Sequence, residues 1–336
     1  MTTINGPTSK LVKSLNESNN LSENIIVVGD TKTPNEWEKT GFTFLDLQTQ
    51  NKEFGEFSES LRINHYARKN IGYLKAAKMN LDWIFETDDD NFLFSSPEKV
   101  INQSAFEYIE THSEGWINFY NLFKTEKNSE QIIWPRGYPL EEIHVKTNHY
   151  NVPSAPRALL MQGLANGNPD VDAIYRLMFP EEISWEFIEN RILLLNFNQF
   201  APINSQTTLW QKAIYRLMYL PSFSTFRVTD ILRGYIASHC LQANHIPVGF
   251  FSPIVFQDRN EHDLIKDFQD EIPLFLKSKE FVEELSKIDK SKKSSLSEMM
   301  VQGYKLAINH SLTTIDELDC LNLWLGYCDE IGIQDF

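Results

Sequence analysis

Three consecutive aspartates follow a stretch typical of a buried strand, and they are the residues best suited to chemistry. Asp88, Asp89 and Asp90 come directly after the apolar run 81–85, and Asn91 follows them. Aspartate is a poor strand former and neighbouring carboxylates repel each other, so a cluster at a strand end calls for a cation. Alternate side chains of an extended segment share a face, which lets Asp88 and Asp90 point at one hard divalent ion. The same spacing also fits a solvated acidic turn between a strand and a helix.

The elements before this cluster alternate between strand and helix. Residues 24–30 predict a buried first strand that ends at a glycine turn, and residues 42–47 alternate as a second strand. A short helix is expected around Trp37. From Asn64, interpreted as a helix cap, to Met79 the apolar residues fall on one helical face. Parallel strands joined by helical crossovers, and hence an α/β fold, follow from this order.

Later segments continue the sheet and then turn helical. Strands are predicted over 116–120 and 192–196, and helices over 209–219 and 230–243. A Lys- and Ser-rich stretch, 289–295, is interpreted as a linker before two helices that reach Phe336. The last helix presents apolar residues on one face that must be buried, namely Ile315, Leu318, Leu321 and Leu325.

Composition limits the class of protein and its partners. With 336 residues and a 42% hydrophobic share, the chain can bury a sizeable core. A net charge of −15 argues against a nucleic-acid or anionic-membrane partner, because both need a basic face. Three cysteines without zinc or disulfide spacing indicate a reducing compartment. The polar first 22 residues and the absence of a long apolar run predict a cytoplasmic protein with no transmembrane segment.

Several enzyme classes lack their motifs in this sequence. It has neither a P-loop nor a Gly-x-Gly-x-x-Gly fingerprint, so P-loop NTPases and ordinary dinucleotide oxidoreductases are excluded. A Gly-x-Ser-x-Gly elbow and a His-Glu-x-x-His zinc pair are also missing. The aspartate cluster therefore remains the best starting point for a functional hypothesis.

The chain resembles the STELLO family of glycosyltransferases in six separate segments that occur in the same order. These segments are 27–34 (VVGDTKTP), 66–74 (YARKNIGYL), 85–91 (FETDDDN), 134–140 (WPRGYPL), 162–172 (QGLANGNPDVD) and 230–235 (DILRGY). Agreement over several segments is far more specific than one acidic motif. Residues 169–172 are also similar to a segment of plant reversibly glycosylated polypeptides, which are GT-A relatives.

The resemblance implies a GT-A fold, a Rossmann-like mixed sheet flanked by helices. It divides the chain into a flexible polar leader (1–22), the glycosyltransferase domain (23–285) and a helical C-terminal extension (286–336). It further implies transfer of a sugar from a nucleotide-sugar donor, with UDP-sugar as the expected class, to an acceptor that the sequence does not define. Asp88 and Asp90 would bind Mn²⁺ or Mg²⁺, and the ion would offset charge on the leaving diphosphate as a Lewis acid.

Donor-binding roles follow for residues near the cluster. Arg68 and Lys69 would add positive charge, with Arg68 preferred; both also fit solvated helix positions. Asp30 and Thr31, after the first strand, would contact the nucleoside, although Asp30 also suits a turn. Asp89 is counted with these donor-binding residues.

A second group of roles concerns the sugar and the acceptor. Asp230 would act as the general base, or it caps a helix. Asp170 and Asp172 would contact sugar hydroxyls, or they cap the helix that follows. Trp134 and Arg136 would form an aromatic and cationic wall, although Trp134 also suits a core position.

The third metal ligand is not defined by the resemblance. Many GT-A enzymes place a histidine late in the domain, and relatives carry one near residues 255–259, where this chain has Phe256 and Gln257. His262 is predicted as the substitute ligand, with His245 as a second choice.

Two rival functions remain open. A catalytically inactive scaffold or regulatory protein with this fold would tolerate a damaged metal site, and the missing late histidine favours it. A nucleotidyltransferase would need a Gly-rich basic loop after the first strand, which residues 30–34 do not supply.

Overall fold

The structure is a computed structural model that describes residues 1–17, 25–102, 107–111, 114–146, 149–152, 157–186, 191–195, 197–258, 263–288 and 294–336. The strands are β1 (Ile26–Val28), β2 (Thr43–Leu45), β3 (Trp83–Thr87), β4 (Asn91–Leu93), β5 (Glu107–Thr111), β6 (Gly115–Trp116), β7 (His149–Val152), β8 (Leu160–Gly167), β9 (Arg191–Leu195), β10 (Gln199–Phe200), β11 (Thr207–Gln211) and β12 (Val248–Gln257). The α-helices are α1 (Lys10–Glu17), α2 (Leu47–Ser60), α3 (Lys69–Lys78), α4 (Pro97–Ile101), α5 (Ala173–Met178), α6 (Thr229–Ala243), α7 (Leu264–Ser286), α8 (Leu296–Asn309) and α9 (Glu317–Glu330). Short 3₁₀ helices cover Asn35–Lys39, Tyr66–Arg68, Phe119–Leu122, Glu126–Asn128, Leu140–Glu142 and Lys212–Met218.

The main sheet is mixed, with helices packed around it. Its strand order is β3-β11-β8-β12-β9-β5-β7, and β4 also pairs with β12. The β8–β12 and β5–β9 pairs are parallel, whereas β3–β11, β11–β8, β12–β9, β5–β7 and β12–β4 are antiparallel. The α/β class is thus confirmed, and the expectation of uniformly parallel strands is wrong for this sheet. The first two predicted strands do pair in parallel, but β1 and β2 form a small sheet of their own.

The centre of the sheet is buried, and helix α6 lies in the same core. The side chains of Leu160, Leu193 and Val248, from three neighbouring strands, have no exposed surface. Every residue of α6 from Thr229 to Gln242 is buried, which explains why the predicted helix has no polar face. Gly234 is needed there because a Cβ at this position would come within 2.3 Å of the Ile203 carbonyl oxygen.

The C-terminal helices share this core, so the predicted division at residue 286 does not separate two cores. Tyr304 of α8 donates to the Tyr219 carbonyl at 3.1 Å, and Trp324 of α9 donates to the Arg216 carbonyl at 2.9 Å. Within the expected apolar face of the last helix, Leu321 and Leu325 are buried. Ile315 is 65% exposed because the helix begins two residues after it.

The N-terminal segment also packs on the domain over residues 1–17, which corrects the prediction of a separate leader. Thr2 forms a parallel bridge with Val28 of β1. Leu11 and Leu15 of α1 are buried in a cluster that includes Leu93 of β4. Residues 18–24 of the predicted leader lie outside the described residues.

Two regions differ from the predicted secondary structure because tertiary pairing overrides local pattern. Residues 209–219 were expected to be helical, but β11 takes the first part as a strand between β3 and β8, and a 3₁₀ helix follows. The strand predicted over 116–120 shortens to β6, which pairs only with β10. Helix α2 was not predicted. Among the described residues, no helix is long and apolar enough to cross a membrane.

Candidate functional site

A cavity of about 420 Å³ opens where several chain segments meet. Its lining comes from the N-terminal segment, the loop after β1, the turn after β3 and the start of α6. Asp30, Asp88, Asp90 and Asp230 lie in this lining, so four residues predicted from separate segments are brought together. The charge of the lining is mixed, because Arg136 and other arginines also reach it.

The aspartate cluster forms the turn between β3 and β4. Strand β3 is held by β11, and β4 is held by β12, so both ends of the turn are fixed by the main sheet. Asn91, which is fully buried, donates from Nδ2 to Thr87 Oγ1 at 2.9 Å and to the Gln206 carbonyl at 2.8 Å. The cluster is therefore a rigid turn at a strand end, as the sequence predicted, and not a solvated linker to a helix.

Asp88 is paired with a buried lysine. Lys69 is 3% exposed and its Nζ lies 2.8 Å from Asp88 Oδ1 and 3.8 Å from Glu86 Oε1. Burial raises the pKa of Asp88 to about 6, Lys69 opposes that rise, and the charge of Asp90 adds to it. Burial lowers the pKa of Lys69, but the carboxylates of Asp88 and Glu86 raise it above its usual value, so the lysine stays charged.

Asp89 and Asp90 have different partners. Asp89 Oδ2 accepts hydrogen bonds from Thr3 Oγ1 at 2.7 Å and from Asn5 Nδ2 at 3.0 Å, which ties the N-terminal segment to the cluster. Asp90 Oδ1 accepts from Gln257 Nε2 at 3.1 Å. Each carboxylate of the cluster thus meets a donor from a different part of the chain.

A second charged cluster is centred on Arg136. Its guanidinium donates to both oxygens of Asp170, at 2.9 and 2.8 Å, and to both oxygens of Asp230, at 2.9 Å each. Asp230 also accepts from Tyr66 Oη at 3.1 Å and from the Ser205 backbone N–H at 3.1 Å. Burial alone would raise the pKa of Asp230, but Arg136 outweighs burial and holds it well below its usual range.

Asp172 and Trp134 lie in the core and are not part of the cavity lining. Asp172 is the N-cap of α5, where Oδ1 accepts from the Tyr175 backbone N–H at 2.8 Å. Its Oδ2 accepts from Trp134 Nε1 at 2.5 Å. The capping alternative for Asp172 and the core alternative for Trp134 are the ones observed, whereas Asp170 and Arg136 line the cavity.

The structure reverses the predicted preference between Arg68 and Lys69. Arg68 is 1% exposed and donates to Gln50 Oε1, to Ser58 and to the Leu61 carbonyl, so it joins α2 to α3. The lysine beside it reaches the aspartate cluster instead. The prediction failed because a 3₁₀ helix precedes α3 and changes the helical phase of these two residues. Asn64 has a positive φ of 53° and is not the cap; His65 accepts from the Ala67 backbone N–H instead.

The loop after β1 holds Asp30 at the cavity. Asp30 Oδ1 accepts from the Thr31 backbone N–H at 2.7 Å, so the residue stabilises its turn as well as lining the cavity. Thr31 itself is exposed and its hydroxyl donates to Asn64 Oδ1 at 2.6 Å.

Three aromatic residues of the cavity wall were missed by sequence reasoning. The ring of His65 stacks on Tyr66 with centroids 5.4 Å apart, and Phe226 packs edge-on against Tyr66 at 4.5 Å. All three line the cavity, and Phe226 is 49% exposed. Tyr66 lies in a matched segment that could have indicated it, but no sequence signal marked Phe226.

The predicted histidine ligands are not part of the site that the structure describes. His262 lies outside the described residues. His245 has a positive φ of 57° in the turn after α6, and its ring stacks on Phe197 at 6.1 Å. In the described part of the chain, no group of three or more His, Cys, Asp or Glu side chains is placed to hold a metal ion.

Comparisons with known proteins point to one family. Residues 227–335, from the start of α6 through the C-terminal helices, match the family model of STELLO glycosyltransferases. The chain is 26% identical over 267 residues to "Probable glycosyltransferase STELLO2" of Arabidopsis thaliana, covering 73% of this chain and 34% of that protein. It is 25% identical over 236 residues to "Probable glycosyltransferase STELLO1" of the same plant, covering 63% and 29%. The chain thus spans about a third of the length of these curated relatives. These matches confirm that the chain is related to the STELLO glycosyltransferases.

Proposed function

We propose that this chain is a metal-dependent glycosyltransferase that binds a nucleotide-sugar donor in the cavity at the end of β3. The observation that carries the proposal is the rigid turn 88–90, which presents carboxylates to a cavity of about 420 Å³ in a chain related to glycosyltransferases. A cavity of this size falls in the range of small-molecule sites. UDP-sugar is the proposed donor class, on the family resemblance.

The donor atoms of the turn fit a hard divalent ion. Asp88 and Asp90 offer carboxylate oxygens, which suit Mn²⁺ or Mg²⁺ better than soft metals. When bound, the ion would neutralise charge on the leaving diphosphate as a Lewis acid. Lys69 supports the site from below, because its charge lowers the repulsion between the carboxylates of the turn.

Asp230 fits a positioning role better than the predicted role of general base. It lines the cavity and can meet an acceptor hydroxyl there. Arg136, however, depresses its pKa, and a carboxylate that binds protons weakly is an inefficient base. Asp230 and Asp170 together hold the Arg136 guanidinium at the cavity wall, where it can attract the anionic part of a donor.

A non-catalytic role is the second candidate, and one observation favours it. Each aspartate of the turn already accepts a hydrogen bond from a protein group: Lys69 for Asp88, Thr3 for Asp89 and Gln257 for Asp90. A chain whose carboxylates are held in this way can keep its shape without a metal. Such a protein would use the fold to bind a partner.

Calorimetric titration decides between the two candidates. UDP, GDP and UDP-sugars are titrated, with and without Mn²⁺, into the native chain and into the variant Asp88→Asn/Asp90→Asn. We expect Mn²⁺-dependent binding of one nucleotide family, weakened about 100-fold in the variant, or roughly 2.7 kcal/mol. The matched control Asp172→Asn, outside the cavity, should bind as the native chain does. A folded native protein that binds no nucleotide would sink the enzyme proposal and favour the non-catalytic role.

A further inference from the structure

Gln257 is a residue of the cavity wall to which no role has been assigned. It is the last residue of β12 and is 9% exposed, so its amide is held between the sheet and the cavity. Its Nε2 donates to Asp90 Oδ1 at 3.1 Å. A side-chain amide that points its N–H at a carboxylate places a partial positive charge where a cation bound by that carboxylate would lie.

The amide has two faces with opposite chemistry. Rotation by about 180° about its last side-chain bond exchanges the N–H₂ group and the oxygen, and the two orientations differ mainly in their hydrogen bonds. In the orientation seen here the N–H₂ group satisfies Asp90. After rotation the oxygen occupies nearly the same position and can bind a cation that Asp90 holds, because amide oxygens are good ligands for hard ions.

We propose that Gln257 is the third protein ligand of the divalent ion, through its side-chain oxygen, and that its amide rotates when the ion binds. This inference rests on the proposed function, since it assumes an ion at Asp88 and Asp90. It places the ligand inside the described site, whereas His262 lies outside the described residues and His245 lies in the turn after α6.

The backbone around Gln257 fixes its distance from Asp90. Gln257 pairs with Asn91 of β4, and the Asp258 backbone N–H donates to the Asp90 carbonyl at 3.0 Å. On its other side, Gln257 pairs with Gly167 of β8, which has a positive φ of 81°. A Cβ at residue 167 would come within 2.7 Å of the Gln257 carbonyl oxygen, so glycine is needed for the strands to approach this closely. The side-chain amide is therefore the part of Gln257 left free to change orientation.

The ligand set predicts which ions bind. Asp88, Asp90 and Gln257 offer only oxygen atoms, a set that favours Mn²⁺ or Mg²⁺ over Zn²⁺, which prefers nitrogen and sulfur ligands. A histidine at position 257 would add an imidazole and shift that preference. Ion preference thus separates a direct ligand from a residue that only holds Asp90 in place.

The test uses three variants, Gln257→Leu, Gln257→Glu and Gln257→His, with Mn²⁺ and Zn²⁺ titrated by calorimetry at saturating UDP. We expect Gln257→Leu to weaken Mn²⁺ binding about tenfold, and Gln257→Glu to strengthen it by adding a charged oxygen. Gln257→His should raise the Zn²⁺ affinity relative to Mn²⁺ by about tenfold or more. The Mn²⁺ electron paramagnetic resonance spectrum of the native complex should change in Gln257→Leu, which reports the ligand shell without any turnover.

The outcomes separate this inference from the proposed function. If the native chain binds Mn²⁺ and UDP but Gln257→Leu binds them equally well, Gln257 is not a ligand and the proposed function stands. If Gln257→Leu weakens binding while Gln257→His leaves the ion preference unchanged, Gln257 only positions Asp90, and the inference is overturned. If Gln257→Leu does not fold, the Glu and His variants give the same decision. A native chain that binds no Mn²⁺ with UDP overturns the proposed function itself.

Discussion

The pairs Asp88/Asp90 and Asp170/Asp172 have the same spacing in the sequence but lie in very different surroundings. Asp88 and Asp90 both line the cavity, and the side chain of Asp88 keeps 35% of its surface exposed. In the second pair Asp170 is held by both arms of Arg136, and Asp172 is fully buried as a helix cap. The difference shows that an acidic motif indicates a metal site only where its oxygens are not already taken up by the fold.

The largest expected effect comes from removing the cation beside each pair. Arg136→Met would leave Asp170 and Asp230 buried without a partner and lower the free energy of unfolding by about 3–5 kcal/mol. Lys69→Met should cost less, about 1–2 kcal/mol, because Asp88 can be hydrated and Glu86 keeps its 2.9 Å ion pair with Arg233. Urea unfolding of both variants measures this. Equal losses would show that the two pairs are equally enclosed.

Acid stability tests how dry the cavity wall is. Burial, with a smaller contribution from Arg62, lowers the pKa of His65 from 6.5 to about 4. The unfolded chain therefore binds the proton more tightly, so the contribution of neutral His65 is complete above about pH 6.5 and is lost as pH falls towards 4. The loss amounts to roughly 3 kcal/mol at most.

The matched control for His65 is His65→Asn, whose side-chain oxygen can still accept from the Ala67 backbone N–H. Urea unfolding at pH 7 and pH 4.5 should show a smaller acid loss in this variant than in the native chain. Parallel losses would mean that water reaches His65 freely.

A smaller effect distinguishes Asp172 from the cavity pair. Asp172→Ala removes the cap of α5 and leaves Trp134 Nε1 buried without its acceptor, so we expect a loss of about 2 kcal/mol in stability. The metal-dependent nucleotide affinity of the variant, measured by calorimetry, should equal that of the native chain. An affinity loss at unchanged stability would return Asp172 to the donor site and remove the contrast between the two pairs.

The smallest expected effect concerns the N-terminal segment. Thr3→Val keeps the shape of the side chain but removes the hydroxyl that donates to Asp89, at a cost of about 1 kcal/mol in thermal unfolding experiments. Asn5 Nδ2 remains bonded to the same oxygen, which limits the loss. Thr33→Val, which removes a hydroxyl that donates to the Thr3 carbonyl, serves as a comparison on the same segment. No change in either variant would show that Asp89 holds this segment only weakly.

Local features of the fold could be predicted from the sequence. The strands before the aspartate cluster, the helix over 230–243 and the turn 88–90 carry strong periodic patterns, and the structure has them at nearly those positions. The strand over 207–211 was missed because its neighbours, β3 and β8, lie far away in sequence and decide its conformation. Pairing between distant segments leaves no signal in a short window.

The site was predictable in its location but not in its partners. The sequence placed Asp30, Asp88, Asp90 and Asp230 at one site, and the structure puts all four in one cavity lining. It could not show that Lys69 rather than Arg68 reaches Asp88, because neighbouring helical residues point in directions about 100° apart and the helix start was misplaced. Nor could it show that Gln257 meets Asp90, since 167 residues separate them.

The buried Arg216 has a consequence for the order in which the protein folds. This side chain follows β11, yet it donates to the carbonyl groups of Ile333 and Gln334 and pairs with Asp329, more than 110 residues later. The 3₁₀ helix around it cannot reach its final packing until those residues have been synthesised. During translation the sheet would therefore wait with an unpaired arginine in its core, so the last helices complete the fold only after they leave the ribosome.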